Sequence, residues 1–380
     1  MRKFETLKPY VAAICASNPE DVYGDDIIRL ALNENPYGIS PAIKERIIQE
    51  LENYIFYPDG NSTKLKERIA EKYKVAPEMV LVGNGIDELI LIASLAFLDH
   101  NDIAVTTANT FFGYFAALEI SGAIIKEIPI VDYRIDALNT AKAIEEGARL
   151  VFLCNPHNPA GTILSNKEVR FLINCAERHG TILVFDEAYW EYVVDESYSS
   201  VVNYIKDVEN VVVFRTFSKM YGLAGLRCGY AIAPQKLIDQ MACIRNALPF
   251  NTNRLAQKAS LVCLSDDNFV NEVKYKNDQT KKWFCKELER IGWEYIPSVA
   301  NFVLVKTPFS SHDFCRILLS QYKIAVKNGD SFGLDNHVRI SIGLQEQMEY
   351  LVKCIEEISA LSGPELSLCC HESLLSFQKN

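Results

Sequence analysis

The feature that most constrains the fold is a regular alternation of short apolar runs and helical patterns across residues 102–233. In NKEVRFLINCAERHG, the apolar residues Val169, Leu172, Ile173 and Ala176 recur at the spacing of one helix face. The strand candidates between such patterns are mostly apolar on both faces, which is typical of strands covered by helices on each side. They are DIAVTT, AIIKEIPI, RLVFLCN, TILVFDE, NVVVFRTF and CGYAIA. The alternation predicts an α/β fold with a mostly parallel central sheet and helices on both faces.

The pattern of predicted helices and strands changes after Met241. Long amphipathic, charged helices are predicted at 252–264 and 268–291, followed by the short strands NFVLVK and HVRISIG and a closing helix at 345–361. This pattern predicts a smaller α+β domain, and 380 residues are enough for two domains. The predicted division is an N-terminal arm or part of the small domain, a large domain, a small C-terminal domain and a tail, at 1–34, 35–245, 246–363 and 364–380.

The bulk composition excludes several classes of function. A formal net charge of -10 argues against a non-specific nucleic-acid binder, which needs a basic face. The longest apolar run, LILIASLAFL at 89–98, is too short to cross a bilayer, and MRKFETLKPY does not resemble a signal peptide. We therefore expect a cytoplasmic protein that acts on small molecules, with no nucleic-acid or membrane partner.

Cysteine usage indicates a reducing compartment. The 11 cysteines are scattered, mostly have apolar neighbours and form no CxxC pair. In the tail, Cys369, Cys370 and His371 lack the usual spacing of a closed metal site, so we expect no metal.

Polar clusters follow four of the predicted strands. Because the carboxyl ends of parallel strands meet at one edge of a sheet, where ligands bind, we expect these clusters to lie together. Each cluster alone is typical of a turn or a helix cap. The clusters are Gly83-Asn84-Gly85 after VLV, the NPHNPAG loop at 155–161, Asp186-Glu187-Ala188-Tyr189 after TILVF, and Thr216, Ser218 and Lys219 after NVVVF.

Taken together, the clusters match the chemical requirements of pyridoxal 5′-phosphate. A helix entered through Gly83-Asn84-Gly85 can hold a phosphate on free N–H groups, with added donors from Thr216, Ser218 and Arg227. Lys219 can form a Schiff base with an aldehyde. Asp186 can keep a ring nitrogen protonated, which an electron-accepting pyridine ring needs. The GxGxxG dinucleotide fingerprint is absent, so a nicotinamide cofactor is disfavoured.

With these residues in place, the chain resembles the fold type I pyridoxal-phosphate aminotransferases of class II, and within them the histidinol-phosphate aminotransferases. The resemblance covers nearly the whole chain, from LKPY at 7–10 to RISIG at 339–343. The matching segments are LNENPYG, YPDGNSTKLKERIA, VGNGIDELI, NPHNPAGT, DEAYWEY, FRTFSKMYGLAGLRCGYA, NFVLVK and VRISIG. The resemblance implies the pyridoxal-phosphate transferase fold type I.

The resemblance also implies roles around the cofactor. Lys219 would carry the covalent link and move a proton between the substrate α-carbon and the cofactor C4′. Asp186 would pair with the pyridine nitrogen, Asn158 and Tyr189 would contact the 3-oxygen, and Tyr114 would stack on the ring. The phosphate would be held by the backbone of Asn84, Gly85 and Ile86 and the side chains of Thr216, Ser218 and Arg227.

Substrate and subunit contacts are implied in the same way. Arg339 would clamp the substrate α-carboxylate, with Asn33 and Tyr10 bordering the pocket. Tyr57 would reach the cofactor phosphate of the other subunit, which implies a homodimer.

Two departures from the family pattern bear on the substrate. The chain reads Ala325-Val326-Lys327-Asn328 where the family has an arginine expected to bind the substrate phosphate, and lysine keeps the charge without the planar fork. In TFFGY, the stretch 111–113 is less polar than in the family, which favours an aromatic or apolar substrate side chain.

The predicted function is therefore transamination between histidinol phosphate and 2-oxoglutarate, a step of histidine biosynthesis. Two alternatives keep the cofactor: an aminotransferase for another, aromatic amino acid, and an amino acid decarboxylase or lyase on the same scaffold. A non-catalytic cofactor sensor fused to a DNA-binding domain is disfavoured, because the aminotransferase-like sequence begins within the first ten residues.

Overall fold

The computed structural model describes residues 24–195 and 198–361, and it contains two sheets. The larger sheet has seven strands in the order β2-β8-β7-β6-β5-β3-β4. Only β8 runs against its neighbours, so the predicted α/β fold with a mostly parallel sheet is confirmed. The strands are β2 Val80–Gly83, β3 Ile103–Thr107, β4 Ile124–Ile128, β5 Leu150–Cys154, β6 Ile182–Asp186, β7 Val211–Thr216 and β8 Gly229–Ile232.

The smaller sheet has the order β1-β11-β12-β10-β9 and begins with a segment from the N-terminal region. Its β1 strand pairs in parallel with β11, while the other pairs are antiparallel. The apolar runs IRL and IAVKN lie in this sheet, and neither was among the predicted strands. The strands are β1 Ile28–Leu30, β9 Tyr295–Ile296, β10 Phe302–Lys306, β11 Ile324–Asn328 and β12 His337–Ser341.

Eleven α-helices lie within the described residues. They are α1 Pro41–Glu50, α2 Thr63–Tyr73, α3 Ile86–Phe97, α4 Phe112–Ser121, α5 Ala137–Glu145, α6 Asn166–His179, α7 Gln235–Arg245, α8 Arg254–Cys263, α9 Asp267–Arg290, α10 Ser311–Tyr322 and α11 Gln345–Ser359. None of these helices has both the length and the apolar character needed to span a bilayer.

Each face of the large sheet carries its own hydrophobic core, because successive strand residues point to opposite faces. Val211 and Val213 of β7 belong to one core, with α1, α2, α5, α6 and α8. Val212 and Phe214 belong to the other, with α3, α4 and α7. A third core lies between the small sheet and the helices α9, α10 and α11. Helices thus cover both faces of the large sheet, as predicted.

The helix α8 lies elsewhere than the predicted domain boundary implies. Ala256 and Ala259 are fully buried in a core of the large sheet, although the sequence assigns 246–363 to the small domain. The following helix α9 contributes Val273 to that core and Phe284 to the small-sheet core. Amphipathic patterns mark the buried face of a helix and not its partner, so the pattern does not locate this boundary.

The cysteines behave as the sequence predicts for small apolar side chains. All eight cysteines within the described ranges are free thiols, and five of them are buried. The tail residues Cys369, Cys370 and His371 lie outside the described residues.

A buried ion pair joins the ends of β6 and β7. Arg215 donates through Nη2 to Oε2 of Glu187 at 2.7 Å, and both side chains are about fully buried. Nε of Arg215 also donates to Glu187, Tyr73 and Ser200 accept from its Nη atoms, and the backbone of Val201 donates to Glu187. Both ions thus have several hydrogen-bond partners, which is the condition under which a buried ion pair is tolerated.

We predict that Arg215→Met strongly destabilises the protein, because Glu187 would remain buried without its cation. The expected loss is about 3–5 kcal/mol of unfolding free energy. Urea unfolding followed by tryptophan fluorescence measures it, since the guanidinium lies 3.7 Å from the Trp190 ring centre. The matched control is Lys306→Met, which removes an exposed ion pair with Glu294 and should leave the midpoint unchanged. Equal midpoints for the two variants would contradict the prediction.

Candidate active site

Lys219 lies just beyond β7 at the carboxyl edge of the large sheet. Its Nζ donates to the carbonyl of Leu32 at 2.8 Å and lies 5.9 Å from the centre of the Tyr189 ring. Burial, together with the positive charge of Arg339, lowers the pKa of Lys219 to about 8. About half of the amine is therefore neutral near pH 8, and the neutral amine is the nucleophilic form.

Asp186 is the last residue of β6 and is 4% exposed. Its Oδ2 accepts from the hydroxyl of Tyr114 at 2.7 Å, and its Oδ1 accepts from the backbone of Ala188 at 3.0 Å. Burial raises the pKa of Asp186 to about 6, since a carboxylate is costly away from water. A cationic ring nitrogen beside it would offset that cost, as the predicted role requires.

Tyr114 has a different position from the predicted one. Its side chain is fully buried, its ring stacks on Phe152 at 5.2 Å, and its hydroxyl is committed to Asp186. The ring is enclosed in the core and is not presented to a ligand, so Tyr114 positions the carboxylate. Phe111 lies edge-on to it at 5.6 Å and is only partly buried, at the start of α4.

Gly85, Ile86, Thr216, Ser218 and Arg227 are the residues predicted to hold a phosphate, and we call them the anion cup; Gly229 packs against the backbone of Gly85 and Ile86 at the start of α3 and pairs with Thr216. The first N–H groups of a helix have no partners within the helix, and the helix dipole favours an anion there. Thr216 Oγ1 accepts from the Ser218 N–H at 3.0 Å. A Cβ atom at Gly85, which has φ +91°, would lie 2.7 Å from Nη2 of Arg227, so glycine lets the guanidinium cover the helix end.

Two neighbouring carboxylates modify this cup. Arg227 pairs with Asp87 in the first turn of α3, at 2.5 Å. The N–H of Asn84, predicted to hold phosphate, instead donates to Oε2 of Glu88 at 2.7 Å. Sequence spacing does not reveal that Glu88 folds back onto the helix start; the Asn84 contact with a phosphate stays a prediction.

Arg339 reaches the same region from β12 of the small sheet. Its two Nη atoms donate to Oδ1 of Asn158 and to the carbonyl of Ala31, both at 2.5 Å. The guanidinium also lies over the rings of Phe302 and Phe332, at 5.4 and 5.3 Å from their centres. The side chain is 5% exposed. Arg339 is thus held in a fixed direction beside Asn158, as a carboxylate clamp needs.

Asn33 joins the two sheets at this point. Its Nδ2 donates to the hydroxyl of Tyr189 at 3.0 Å, while its Oδ1 accepts from Ser341 of β12 at 3.0 Å. The predicted residues Asn33, Tyr189 and Asn158 therefore lie around Lys219 and Arg339. Tyr10 lies outside the described residues.

Lys327 and Tyr57 are the remaining predicted residues within the described ranges. Lys327 of β11 is the cross-strand partner of Arg339, which places both side chains on one face of the small sheet. Tyr57 is 81% exposed, and its ring stacks on Phe250 at 4.9 Å.

Sequence reasoning did not identify several groups that hold the site residues in place by hydrogen bonds. The carbonyls of Ala31 and Leu32 accept from Arg339 and Lys219, and Ser341 orients Asn33. Backbone carbonyls occur at every residue, so no sequence signal marks them. Ser341 is part of the quoted RISIG segment, which was a usable signal.

We predict that the lowered pKa of Lys219 is visible in its reactivity. In protein without cofactor, reductive methylation of Lys219 should reach half its maximal rate near pH 8, because only the neutral amine reacts. Lys306, whose pKa the neighbouring Glu294 raises, is the internal control and should respond at much higher pH. Mass spectrometry of the labelled peptides distinguishes the two. Identical pH profiles would contradict the assigned environment of Lys219.

Comparison with known proteins places this geometry in a family. The sequence profile of aminotransferase class I and II matches residues 25–355. A histidinol-phosphate aminotransferase 2 from Carboxydothermus hydrogenoformans is 40% identical over 91% of this chain and 95% of its own length. A histidinol-phosphate aminotransferase from a Geobacillus species is 38% identical over 93% of this chain and 96% of its own length. A similar solved structure is the crystal structure of histidinol-phosphate aminotransferase from Sinorhizobium meliloti in complex with pyridoxal-5′-phosphate. It is 25% identical in sequence, has a TM-score of 0.82, and the match covers 94% of this chain and 98% of that chain. The chain therefore belongs to the class I and II aminotransferases.

Proposed function

We propose that this protein uses pyridoxal 5′-phosphate to exchange an amino group between histidinol phosphate and 2-oxoglutarate. The names of the similar proteins support this substrate pair and favour transamination over the decarboxylase or lyase alternatives. The observation that carries the proposal is the position of Lys219. Its amine donates to the carbonyl of Leu32 at 2.8 Å, and the adjacent carbonyl of Ala31 accepts from Arg339, so the amine lies in the same cluster as the substrate clamp. The cytoplasmic location stays a prediction from the sequence.

The residues present fit this cofactor. The anion cup supplies backbone, hydroxyl and guanidinium donors for one phosphate, and Asp186 offers a buried carboxylate for one ring nitrogen. When bound, pyridoxal phosphate would supply an aldehyde and an electron-accepting ring that stabilises negative charge at the substrate α-carbon. Lys219 would bind the aldehyde and, as a neutral amine, carry the α-proton. Tyr189 and Asn158 would orient the ring from its 3-oxygen side.

Phe111 is the proposed stacking partner in place of Tyr114. It begins the loop-to-helix turn at α4 and is partly buried, while Tyr114 behind it is committed to Asp186. An apolar ring at this position excludes water from one face of the bound cofactor.

Arg339 and Lys327 form the proposed anion site for the substrate. Their cross-strand pairing brings two cations onto one face of the small sheet, with Cβ atoms about 5 Å apart. A phosphate carries up to two negative charges, whereas an α-carboxylate carries one, so the second cation favours the phosphorylated substrate. Arg339 alone would serve glutamate, the proposed donor.

An aromatic 2-oxoacid is the second candidate substrate. The observation that favours it is the partly buried aromatic ring of Phe332, which packs on the guanidinium of Arg339. Both candidates are distinguished by the same assay.

We predict that Lys327→Ala selectively weakens the binding of histidinol phosphate. Loss of one of two cations should raise KM for histidinol phosphate about tenfold, since a charged hydrogen bond contributes about 1.5 kcal/mol or more, and leave glutamate and phenylalanine nearly unchanged. Half-reaction spectroscopy with the three amino donors measures this. Lys323→Ala, which removes an exposed lysine at the C-terminus of α10, is the matched control. Equal losses for all donors would exclude a phosphate role for Lys327, and a wild type that prefers phenylalanine would favour the aromatic alternative.

A second copy of the chain is the proposed partner. The end of α1 and the loop after it expose six large apolar side chains, a concentration typical of a protein interface. These define the 48–57 surface: Ile48, Leu51, Tyr54, Ile55, Phe56 and Tyr57. Leu248 and Phe250 extend it, being 51% and 46% exposed. In a homodimer, Tyr57 would reach the anion cup of the partner subunit.

We predict that Ile55→Asp, at a side chain 83% exposed, dissociates the homodimer and lowers cofactor affinity. A charge buried in an apolar interface is costly, and a monomer would lack Tyr57 at its cup. Light scattering measures the mass, and fluorescence titration measures cofactor binding. The control is Leu138→Asp, because Leu138 is 74% exposed on α5 and lies outside the 48–57 surface. A dimer that survives Ile55→Asp with unchanged affinity would contradict the proposal.

A further inference from the structure

Asn109 connects the two sheets beside the substrate clamp. It follows β3 in a left-handed conformation, with φ 54°, which asparagine adopts more readily than most residues. Its Nδ2 donates to the carbonyls of Phe332 and Gly333, at 2.7 and 3.1 Å. These carbonyls belong to the turn between β11 and β12, more than 220 residues further along the chain. One side-chain amide therefore ties a loop of the large sheet to a turn of the small sheet.

Phe332 carries this connection to the clamp. Its ring centre lies 5.3 Å from Cζ of Arg339, on whose guanidinium the Phe302 ring also packs. An aromatic face attracts a cation, and the two rings restrict the directions in which the guanidinium can turn. The position of Phe332 thus helps to fix the position of Arg339.

These contacts form a closed circuit of residues. Thr110, the neighbour of Asn109, donates to the backbone carbonyl of Asn158 at 3.3 Å. The side chain of Asn158 accepts from Arg339, and Arg339 packs on Phe332, whose carbonyl accepts from Asn109. Groups in a closed set of contacts restrain one another more strongly than isolated pairs do.

We propose that Asn109 is a positioning residue for substrate binding: it holds Phe332 against Arg339, and thereby sets the direction of the guanidinium that binds the anionic group of the substrate. We call the two hydrogen bonds from Asn109 the 109–332 latch. The proposal deepens the proposed function and rests on it for the role of Arg339. Its two hydrogen bonds do not touch the anion cup or Lys219, so the loss of the latch is expected to change substrate affinity more than cofactor affinity.

The test compares Asn109→Gly, Phe332→Leu and the double variant in the full-length protein loaded with pyridoxal phosphate. Glycine retains the left-handed backbone and removes the amide, while leucine retains apolar bulk and removes the aromatic face. Asn109→Gly should raise the KM and Kd for 2-oxoglutarate about tenfold, with kcat changed less, because a guanidinium that is no longer held must lose its rotational freedom when the substrate binds. Cofactor affinity and the visible absorbance of the bound cofactor should stay at wild-type values.

The double variant decides whether Asn109 acts through Phe332. If it does, Asn109→Gly adds little to Phe332→Leu, since contacts in one network are not additive. Asn101→Gly is the matched control, because Asn101 also has a positive φ, at 72°, and is exposed. It should leave the KM and Kd unchanged.

Three results would overturn the proposal. They are an unchanged Kd for 2-oxoglutarate in Asn109→Gly, a full additional loss in the double variant, and a loss of cofactor absorbance equal to the loss of substrate affinity. Failure of the proposed function is a separate result: the wild type would bind 2-oxoglutarate without accepting the amine of histidinol phosphate. In that case the Kd series for 2-oxoglutarate still tests the latch.

Discussion

The structure depends on a parallel sheet buried on both faces. Six of the seven strands in the large sheet run in one direction, so the loops that follow them meet at one edge. The strands themselves carry apolar side chains on both faces, and these side chains pack in the two cores. The polar residues are therefore concentrated in the loops at the carboxyl edge, where Asp186 ends β6 and Thr216 ends β7. The buried pair of Glu187 and Arg215 holds these two strand ends together from below.

The second sheet completes the site. Arg339 comes from β12, and its guanidinium donates to Asn158 in a large-sheet loop and to Ala31 beside β1. Asn33 makes a comparable connection between Tyr189 and Ser341. Relative movement of the two sheets would therefore change the direction of the clamp, which makes the contacts between them part of substrate recognition. The 109–332 latch is one such contact, at the side of Arg339 that faces Phe332.

Burial shifts the pKa values of the two central titratable groups in opposite directions. It raises the pKa of Asp186 to about 6 and lowers that of Lys219 to about 8. Both shifts disfavour the charged form, as expected where water is excluded. Near pH 7 to 8 the carboxylate still exists and a sizeable share of the amine is neutral. The same low-polarity surroundings thus leave a base and a carboxylate available at one pH.

The class of fold and the identity of most candidate groups can be read from the residues alone. Periodicity is a local property, so strands such as Val211–Thr216 and helices such as Asn166–His179 could be located from the residues alone. Lys219 and Asp186 could be named because each lies at the end of a predicted strand, and Arg227 because it lies in the segment FRTFSKMYGLAGLRCGYA. Short strands such as Ile28–Leu30 were not predicted, because three residues carry too little pattern.

How those groups face one another depends on contacts between distant parts of the chain. The tertiary structure assigned Tyr114 to Asp186 and left Phe111 partly exposed, it turned the Asn84 N–H onto Glu88, and it packed α8 on the large sheet. It also brought Asn109 to Phe332 across more than 220 residues. Such pairings depend on which surfaces meet after the chain has folded, and side-chain direction at a crowded edge is set by packing between distant segments. A local sequence pattern carries no information on those distances, which is why the residues could be predicted and their partners could not.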